Sequence, residues 1–441
     1  MDSFTYKDGS LMVEGVPASG IAAAVQTPCF VYSAGTITSQ FQRIQQAFEP
    51  LHPNICFALK SCSNIGICKL LGSLGAGMDL VSAGELHRSV AAGIDPSRCV
   101  FAGVGKTDSE IRLALEHGVG LFNIESEQEF QAISRIASSM GVTADAALRV
   151  NPEVEPGSHE FNATGRAETK FGVALSDAVD LFGRHGDDQG CRLRGLHMHI
   201  GSQIHDTTPY ATAIGRVLEM MDLLESRGHA IDVLDVGGGF GVDYITGESI
   251  GPEAFAEVIV PMLRPRVDAG LRLYMEPGRS IVANAGILLT KVIYTKQSGS
   301  IEFAICDAGM NTLLRPCHYD AFHFIWPTDP GPGMVPQQRT HDPDLPGLRT
   351  IDVVGPICET GDYLARRRPL PPIEPGQLLA VFGAGAYGMS MSSRYNSQPL
   401  PAEVLVDEDS VGLIRRRESF DDLLEHELLN PSPVHLPMVS S

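Results

Sequence analysis

An alternation running from about residue 36 to residue 288 constrains what this chain can fold into more than any other feature. Eight short apolar runs, at 55–59, 78–81, 99–102, 121–124, 146–150, 195–200, 233–236 and 271–275, read as buried strands. The segments between them, such as 127–139, 211–227 and 252–269, have helical period. Thr107 three residues before Glu110, and Ser126 three residues before Glu129, are helix-start signals. Eight strand–helix units match a (β/α)8 TIM barrel. An open doubly wound sheet would give the same local pattern. The barrel is the better expectation, because nearly every run ends in a polar or glycine-rich cluster. Barrel closure gathers all such ends on one face.

Residues 35–288 are therefore expected to form the barrel. From about 289 the texture changes: 301–305, 350–354, 378–382 and 403–406 read as strands without long helices between them. The first 34 residues also read as β, so residues 1–34 and 289–428 are expected to form one β domain, a sandwich or barrel. The Pro-, Gly- and Asp-rich stretch 326–347 reads as a surface loop, and 429–441 as a disordered tail. The net charge of −20 argues against nucleic-acid or anionic-membrane partners, and no run approaches the length of a membrane span. Nine cysteines without a CxxC pair, and no secretory signal, point to a reducing cytoplasm.

Four clusters carry chemistry. Phe57-Ala58-Leu59-Lys60 puts a lysine at the end of the first strand, where apolar neighbours would lower its proton affinity and make it a nucleophile; a solvated lysine is the plainer reading. Gly237-Gly238-Gly239 follows the seventh strand, and Glu276-Pro277-Gly278-Arg279 the eighth. Loops after strands seven and eight of a barrel commonly bind phosphate. His197 and His199 would share one face of the sixth strand. They could bind zinc, but no HExxH motif or nearby carboxylate pair completes a metal site, so no metal is expected. Stacking of an imidazole on a flat cofactor is the alternative, with Ser202 near a phosphate. A lysine, a phosphate cradle and an acid at a strand end together suggest pyridoxal 5'-phosphate, with Glu276 on the ring nitrogen.

With these residues in place, the chain resembles the alanine-racemase-like (fold-type III) decarboxylases of basic amino acids, and among them the diaminopimelate decarboxylases. The resemblance runs from about Phe4 to Glu427. It rests also on Ser82-Ala83-Gly84-Glu85-Leu86, Arg149-Val150-Asn151-Pro152, Lys170-Phe171-Gly172, Arg315-Pro316, Gly355-Pro356-Ile357-Cys358-Glu359-Thr360-Gly361-Asp362 and Gly385-Ala386-Tyr387-Gly388. It implies a homodimeric carboxy-lyase that converts meso-2,6-diaminopimelate to L-lysine and CO2, the last step of lysine biosynthesis.

The resemblance also implies roles. Lys60 would carry the cofactor as a Schiff base, with His199 stacked on its ring and Glu276 at the pyridine nitrogen. Asp79, Ser202, Gly238, Gly239, Pro277, Gly278, Arg279 and Tyr387 would complete the cofactor site. Arg279, Arg315 and Tyr319 would hold the retained carboxylate of the substrate and Glu359 its distal amine, with Tyr387 also a substrate-binding residue. Cys358 would return a proton to the substrate carbon. Cys358 and Glu359 would come from the partner subunit. The chain departs from the usual family pattern at Ser61-Cys62 and Gly103-Val104-Gly105-Lys106, and around residue 330.

Three alternatives compete. An ornithine- or arginine-type decarboxylase would carry Asp rather than Glu359 after the cysteine. A racemase on the same fold would want an arginine where Glu276 stands. A non-catalytic regulator would tend to have lost Lys60, Glu276 or Cys358.

Overall fold

The computed structural model describes residues 2–155, 170–245, 250–430 and 432. Eight parallel strands close on themselves: Asn54–Ala58, Gly77–Leu80, Val100–Phe101, Leu121–Ile124, Ala144–Asn151, Cys191–His197, Val233–Asp235 and Arg272–Met275. Closure is made where Tyr274 and Met275 pair with Asn54 and Ile55. Helices follow the strands on the outside, among them Asp108–His117, Glu127–Met140, Thr208–Ser226 and Pro252–Asp268. Their start signals operate as read. Thr107 forms a full capping box with Glu110, and Ser126 Oγ accepts from the Glu129 amide.

Strand ends differ from the sequence reading by a few residues. The sixth strand stops at His197 rather than continuing to 200, so His199 lies beyond it in the following loop. The two histidines are therefore not strand neighbours on one face.

The second sheet runs in the order Tyr363–Leu370, Arg349–Val354, Ile301–Cys306, Gly286–Ser298, Cys29–Ser33, Ala402–Asp407, Ser410–Arg415. Leu378–Val381 branches from Gly286–Ser298 and pairs in turn with Ile325–Pro327. Gly286–Ser298 is long enough to serve two neighbourhoods. Its first half pairs with Cys29–Ser33 and its second with Ile301–Cys306.

Three features differ from expectation. Residues 18–25, read as part of a β segment, form the helix Ala18–Val25, whose alanines favour that state and whose Ile21 packs inward. The chain before it makes a separate three-stranded sheet. Trp326 is not at the start of a surface loop. It is fully buried in Ile325–Pro327, and its indole donates to the Met334 carbonyl. The loop beyond is tied back by Arg339, which pairs with Asp2 and lies over the Phe382 ring. Of the tail expected at 429–441, residues 431 and 433–441 lie outside the described residues; Leu429 is 97 % exposed.

Candidate active site

The two-residue period of a strand builds the site. Leu121 and Asn123, Ala147 and Arg149, Val233 and Asp235, and Tyr274 and Glu276 are spaced to share the inner face of the barrel. The deeper member of each pair joins Cys56 and Val100 in a small apolar cluster. The upper member is polar and buried. The barrel is thus filled below and polar at its mouth.

At the centre, the Asn123 amide donates to both Asp235 Oδ2 and Glu276 Oε1 at 2.9 Å. His197 Nε2 lies 3.5 Å from Glu276 Oε2. Burial drives both carboxyls toward their neutral forms, but the outcome is divided between them. His197 and Lys60 hold Glu276 below its ordinary range, whereas burial and the neighbouring Glu276 push Asp235 well above it. Asp235 keeps the proton and Glu276 the charge. The carboxylate pair that the sequence did not reveal near His197 is therefore present in space, with candidate ligand atoms within 4.8 Å of one another. These groups already face one another and Asn123.

Lys60 Nζ lies 2.5 Å from Asp79 Oδ2. Sequence reasoning expected apolar neighbours to lower the lysine's proton affinity. Burial does act that way, but Asp79 and Glu276 outweigh it and hold the amine above its ordinary range. Burial and Glu276 push the Asp79 carboxyl up to about 7 against the pull of Lys60.

The loops after the seventh and eighth strands meet closely. A Cβ on Gly238 would fall 2.0 Å from the Glu276 carbonyl oxygen, and one on Gly239 2.1 Å from that of Gly201. Only glycine fits, and at Gly239 φ is also +109°. The Gly238 amide donates to His199 Nδ1 at 3.2 Å, which places that imidazole beside the glycine turn. Arg279 reaches Ser202 Oγ through Nε at 3.2 Å, and its guanidinium lies 4.6 Å over the Tyr387 ring. Tyr387 has φ +54°, and its amide donates to the Ser61 carbonyl, next to Lys60. Tyr387 also acts electrostatically on Lys60, Arg279 and Arg315, and Tyr319 on both arginines. The structure therefore brings together Lys60, Asp79, His199, Ser202, Gly238, Gly239, Glu276, Pro277, Gly278, Arg279, Arg315, Tyr319 and Tyr387.

Cys358 and Glu359 are elsewhere in the chain's own environment. Cys358 is exposed, and its amide donates to Asn396 Oδ1 at 2.9 Å. Glu359 accepts from the Tyr395 hydroxyl. The hairpin that carries them is set by buried Asp362, whose two oxygens take the Met310 and Ile357 amides at 2.6 Å.

Tyr244 and His323 had no sequence signal. Tyr244 takes a hydrogen bond from Arg279 at 2.9 Å and underlies Arg315, and His323 accepts from Arg315 at 2.9 Å. Both lie outside any motif. The buried Arg149–Glu125 pair was half visible through Arg149. Glu125 also takes the Gly172 amide, and Arg149 covers the Phe171 ring, so the Lys170-Phe171-Gly172 segment is anchored to the barrel.

Residues 34–283 match the pyridoxal-dependent decarboxylases over their pyridoxal-binding domain. The diaminopimelate decarboxylase of Zymomonas mobilis is 43 % identical, covering 97 % of this chain and 99 % of the relative. This chain belongs to the diaminopimelate decarboxylase family. Two solved diaminopimelate decarboxylases, each with L-lysine, have the same fold. The Helicobacter pylori enzyme is 37 % identical with a TM-score of 0.85, covering 93 % of this chain and 98 % of that one. The M. jannaschii enzyme is 32 % identical with a TM-score of 0.89, covering 98 % of each.

The residues fit the family's cofactor on grounds internal to the structure. An aldehyde with a phosphate and a pyridine nitrogen needs an amine, an anion-accepting turn and an acid. Lys60, the glycine turn at Gly238 and Gly239 packed against the loop that carries Ser202, with Arg279 on Ser202, and ionised Glu276 supply them. Asn123 Oδ1 and both His197 nitrogens are buried beside that acid without a hydrogen-bond partner.

Proposed function

We propose that this protein decarboxylates meso-2,6-diaminopimelate to L-lysine and CO2 with pyridoxal phosphate. The observation that carries the reading is that Tyr387 neighbours both Lys60 and two buried arginines, Arg279 and Arg315, that have no carboxylate partner among the described residues. A reactive amine and a strong carboxylate receptor then share one barrel mouth.

Lys60 would bind the cofactor, with His199 against the ring and Glu276 at the pyridine nitrogen. Asp79, Ser202, Gly238, Gly239, Pro277, Gly278, Arg279 and Tyr387 would surround the rest of it. When bound, pyridoxal phosphate supplies an electron sink for the bond between the substrate carbon and the departing CO2. Glu276 stays ionised, and so keeps a proton on the ring nitrogen opposite it. Asp235, Asn123 and His197 fix that charge state. Arg279, Arg315, Tyr319 and Tyr387 orient the substrate by the carboxylate it retains. Glu359 holds the distal amine, and Cys358 delivers a proton to the substrate carbon.

In this reading the enzyme is a homodimer with shared sites. Support comes from the exposure of Cys358 and from its neighbours, Asn396 and Tyr395, which are not those of Lys60. A second chain would bring Cys358 and Glu359 to the facing barrel. All nine cysteines are unpaired, which supports a cytoplasmic setting. Among the described residues no helix is long and apolar enough to cross a membrane.

The test is CO2 release by purified protein with pyridoxal phosphate, offered diaminopimelate, ornithine and arginine in parallel. Preferential release from diaminopimelate supports the reading. Equal or greater release from ornithine or arginine would overturn the substrate assignment.

A further inference from the structure

Arg279 and Arg315 are two like charges in the protein interior, 7 % and 6 % exposed. A buried cation is ordinarily matched by a carboxylate, because a lone desolvated charge is costly. Arg149, buried nearby, follows that rule with Glu125. Among the described residues Arg279 and Arg315 do not; they are held by neutral acceptors instead.

Arg279 donates to the Tyr244 hydroxyl at 2.9 Å and to Ser202 Oγ at 3.2 Å. Arg315 donates to His323 Nε2 at 2.9 Å, and its guanidinium lies 4.4 Å over the Tyr244 ring. His323 is itself fully buried, with Nδ1 2.8 Å from the Phe382 carbonyl oxygen. That oxygen can only accept, so Nδ1 carries the hydrogen and Nε2 offers its lone pair to Arg315. The Nε of Arg315 is buried and has no hydrogen-bond partner. One donor on Arg315 is thus still unsatisfied.

We propose that Tyr244 and His323 are positioning residues, which fix the two guanidiniums by neutral contacts so that both charges act on one incoming carboxylate. This rests on the reading that Arg279 and Arg315 receive the carboxylate the substrate retains. The Tyr244 ring lies under Arg315, where its negative π-face offsets the repulsion between the two cations. Its hydroxyl accepts from Arg279. A carboxylate at either position would bind the arginines more tightly and cancel the attraction they exert on substrate. The titration behaviour of His323 is in keeping with this. Burial and Arg315 hold His323 down to about 3, so it remains a neutral acceptor throughout the working range. Burial opposes ionisation of Tyr244, yet Arg279 and Arg315 draw its hydroxyl below the ordinary value.

The experiment titrates holoenzyme with L-lysine, reading the visible spectrum of the bound cofactor, and measures kcat and KM for diaminopimelate alongside. Four variants are compared: Tyr244→Phe, His323→Glu, His323→Gln and Arg315→Lys. Losing a hydrogen bond to a charged group should weaken lysine binding roughly 10-fold in Tyr244→Phe, with KM rising in step, kcat changing less than KM and cofactor affinity falling less than lysine affinity. His323→Glu should weaken it more, roughly 100-fold, because Arg315 is then neutralised from within. His323→Gln keeps a neutral acceptor toward Arg315 and a donor toward Phe382, and should stay within about threefold of the parent. The proposal is overturned if Tyr244→Phe binds lysine as the parent does, or if His323→Glu binds it as well as His323→Gln. It is also overturned if Tyr244→Phe loses cofactor and lysine affinity equally, which would mark a merely structural role. Tyr244→Phe decides the matter alone if His323→Glu does not fold. Unchanged lysine affinity in Arg315→Lys would instead sink the underlying carboxylate assignment.

Discussion

Lys60 and Asp79 form an ion pair of 2.5 Å in which the acid is fully buried and the amine is half-exposed toward the barrel mouth. The group proposed to capture the cofactor is thus held in its unreactive, protonated form by its closest neighbour. Asp79→Asn should move the pH profile of cofactor capture by apoenzyme toward lower pH, by roughly one unit or more. Visible absorbance after adding pyridoxal phosphate across a pH series measures this, and an unshifted profile would refute it. Lys60→Ala should abolish the band altogether.

Asp235 and Glu276 divide a proton unequally, and the charge on Glu276 is the useful product. Glu276→Gln should retain cofactor yet lower kcat by roughly 100-fold or more, the scale of removing one well-placed electrostatic group. Turnover normalised to bound cofactor is the measurement. Near-parental turnover would show that the ring nitrogen does not depend on this acid.

Cys358 and Lys60 have separate surroundings within one chain, so inactive variants of each should complement. Cys358→Ala keeps the cofactor and loses most turnover. When it is mixed with Lys60→Ala and subunits exchange, roughly a quarter of parental activity should return, since half the dimers are mixed and each mixed dimer holds one intact site. No recovery after demonstrated exchange would count against sites shared between subunits.

His323 gives a pH dependence of stability with a defined sign. Its folded value of about 3 lies below its ordinary 6.5, so in that interval the unfolded chain binds a proton that the folded chain refuses. This contribution is complete above about pH 6.5 and is lost as pH falls, at up to ~1.4 kcal/mol per pH unit. Urea unfolding of apoenzyme at several pH values between about 7 and 5 should show a shallower slope for His323→Gln than for the parent.

The barrel was legible because its strands are buried on both sides and bounded by glycine and polar residues; Leu121–Ile124 matches the apolar run to the residue. Lys60, Glu276 and the glycine turn were legible because chemistry and strand ends coincide there. The residues that went unseen act through space. Tyr244 and His323 sit in loops with no periodicity, and Asn123 reads locally as one polar residue in an apolar strand. The proton balance of Lys60 was misjudged for the same reason. The run before it is apolar, but Asp79 comes from the next strand. Helix Ala18–Val25 was read as β because it lies among short strands, although its alanines favour a helix.

Strand Cys29–Ser33 carries a consequence for biosynthesis. It lies inside the second sheet, antiparallel to Gly286–Ser298 and parallel to Ala402–Asp407. On the ribosome it emerges before every barrel strand, while its two neighbours emerge only after the last of them. Its Phe30-Val31-Tyr32 backbone groups stay unpaired until the whole barrel has been made, one edge waiting for Gly286–Ser298 and the other for Ala402–Asp407, and a nascent chain released before Ala402 would expose an open, aggregation-prone edge. The barrel can assemble vectorially, but the sheet beside it must wait for Ala402–Asp407 to emerge.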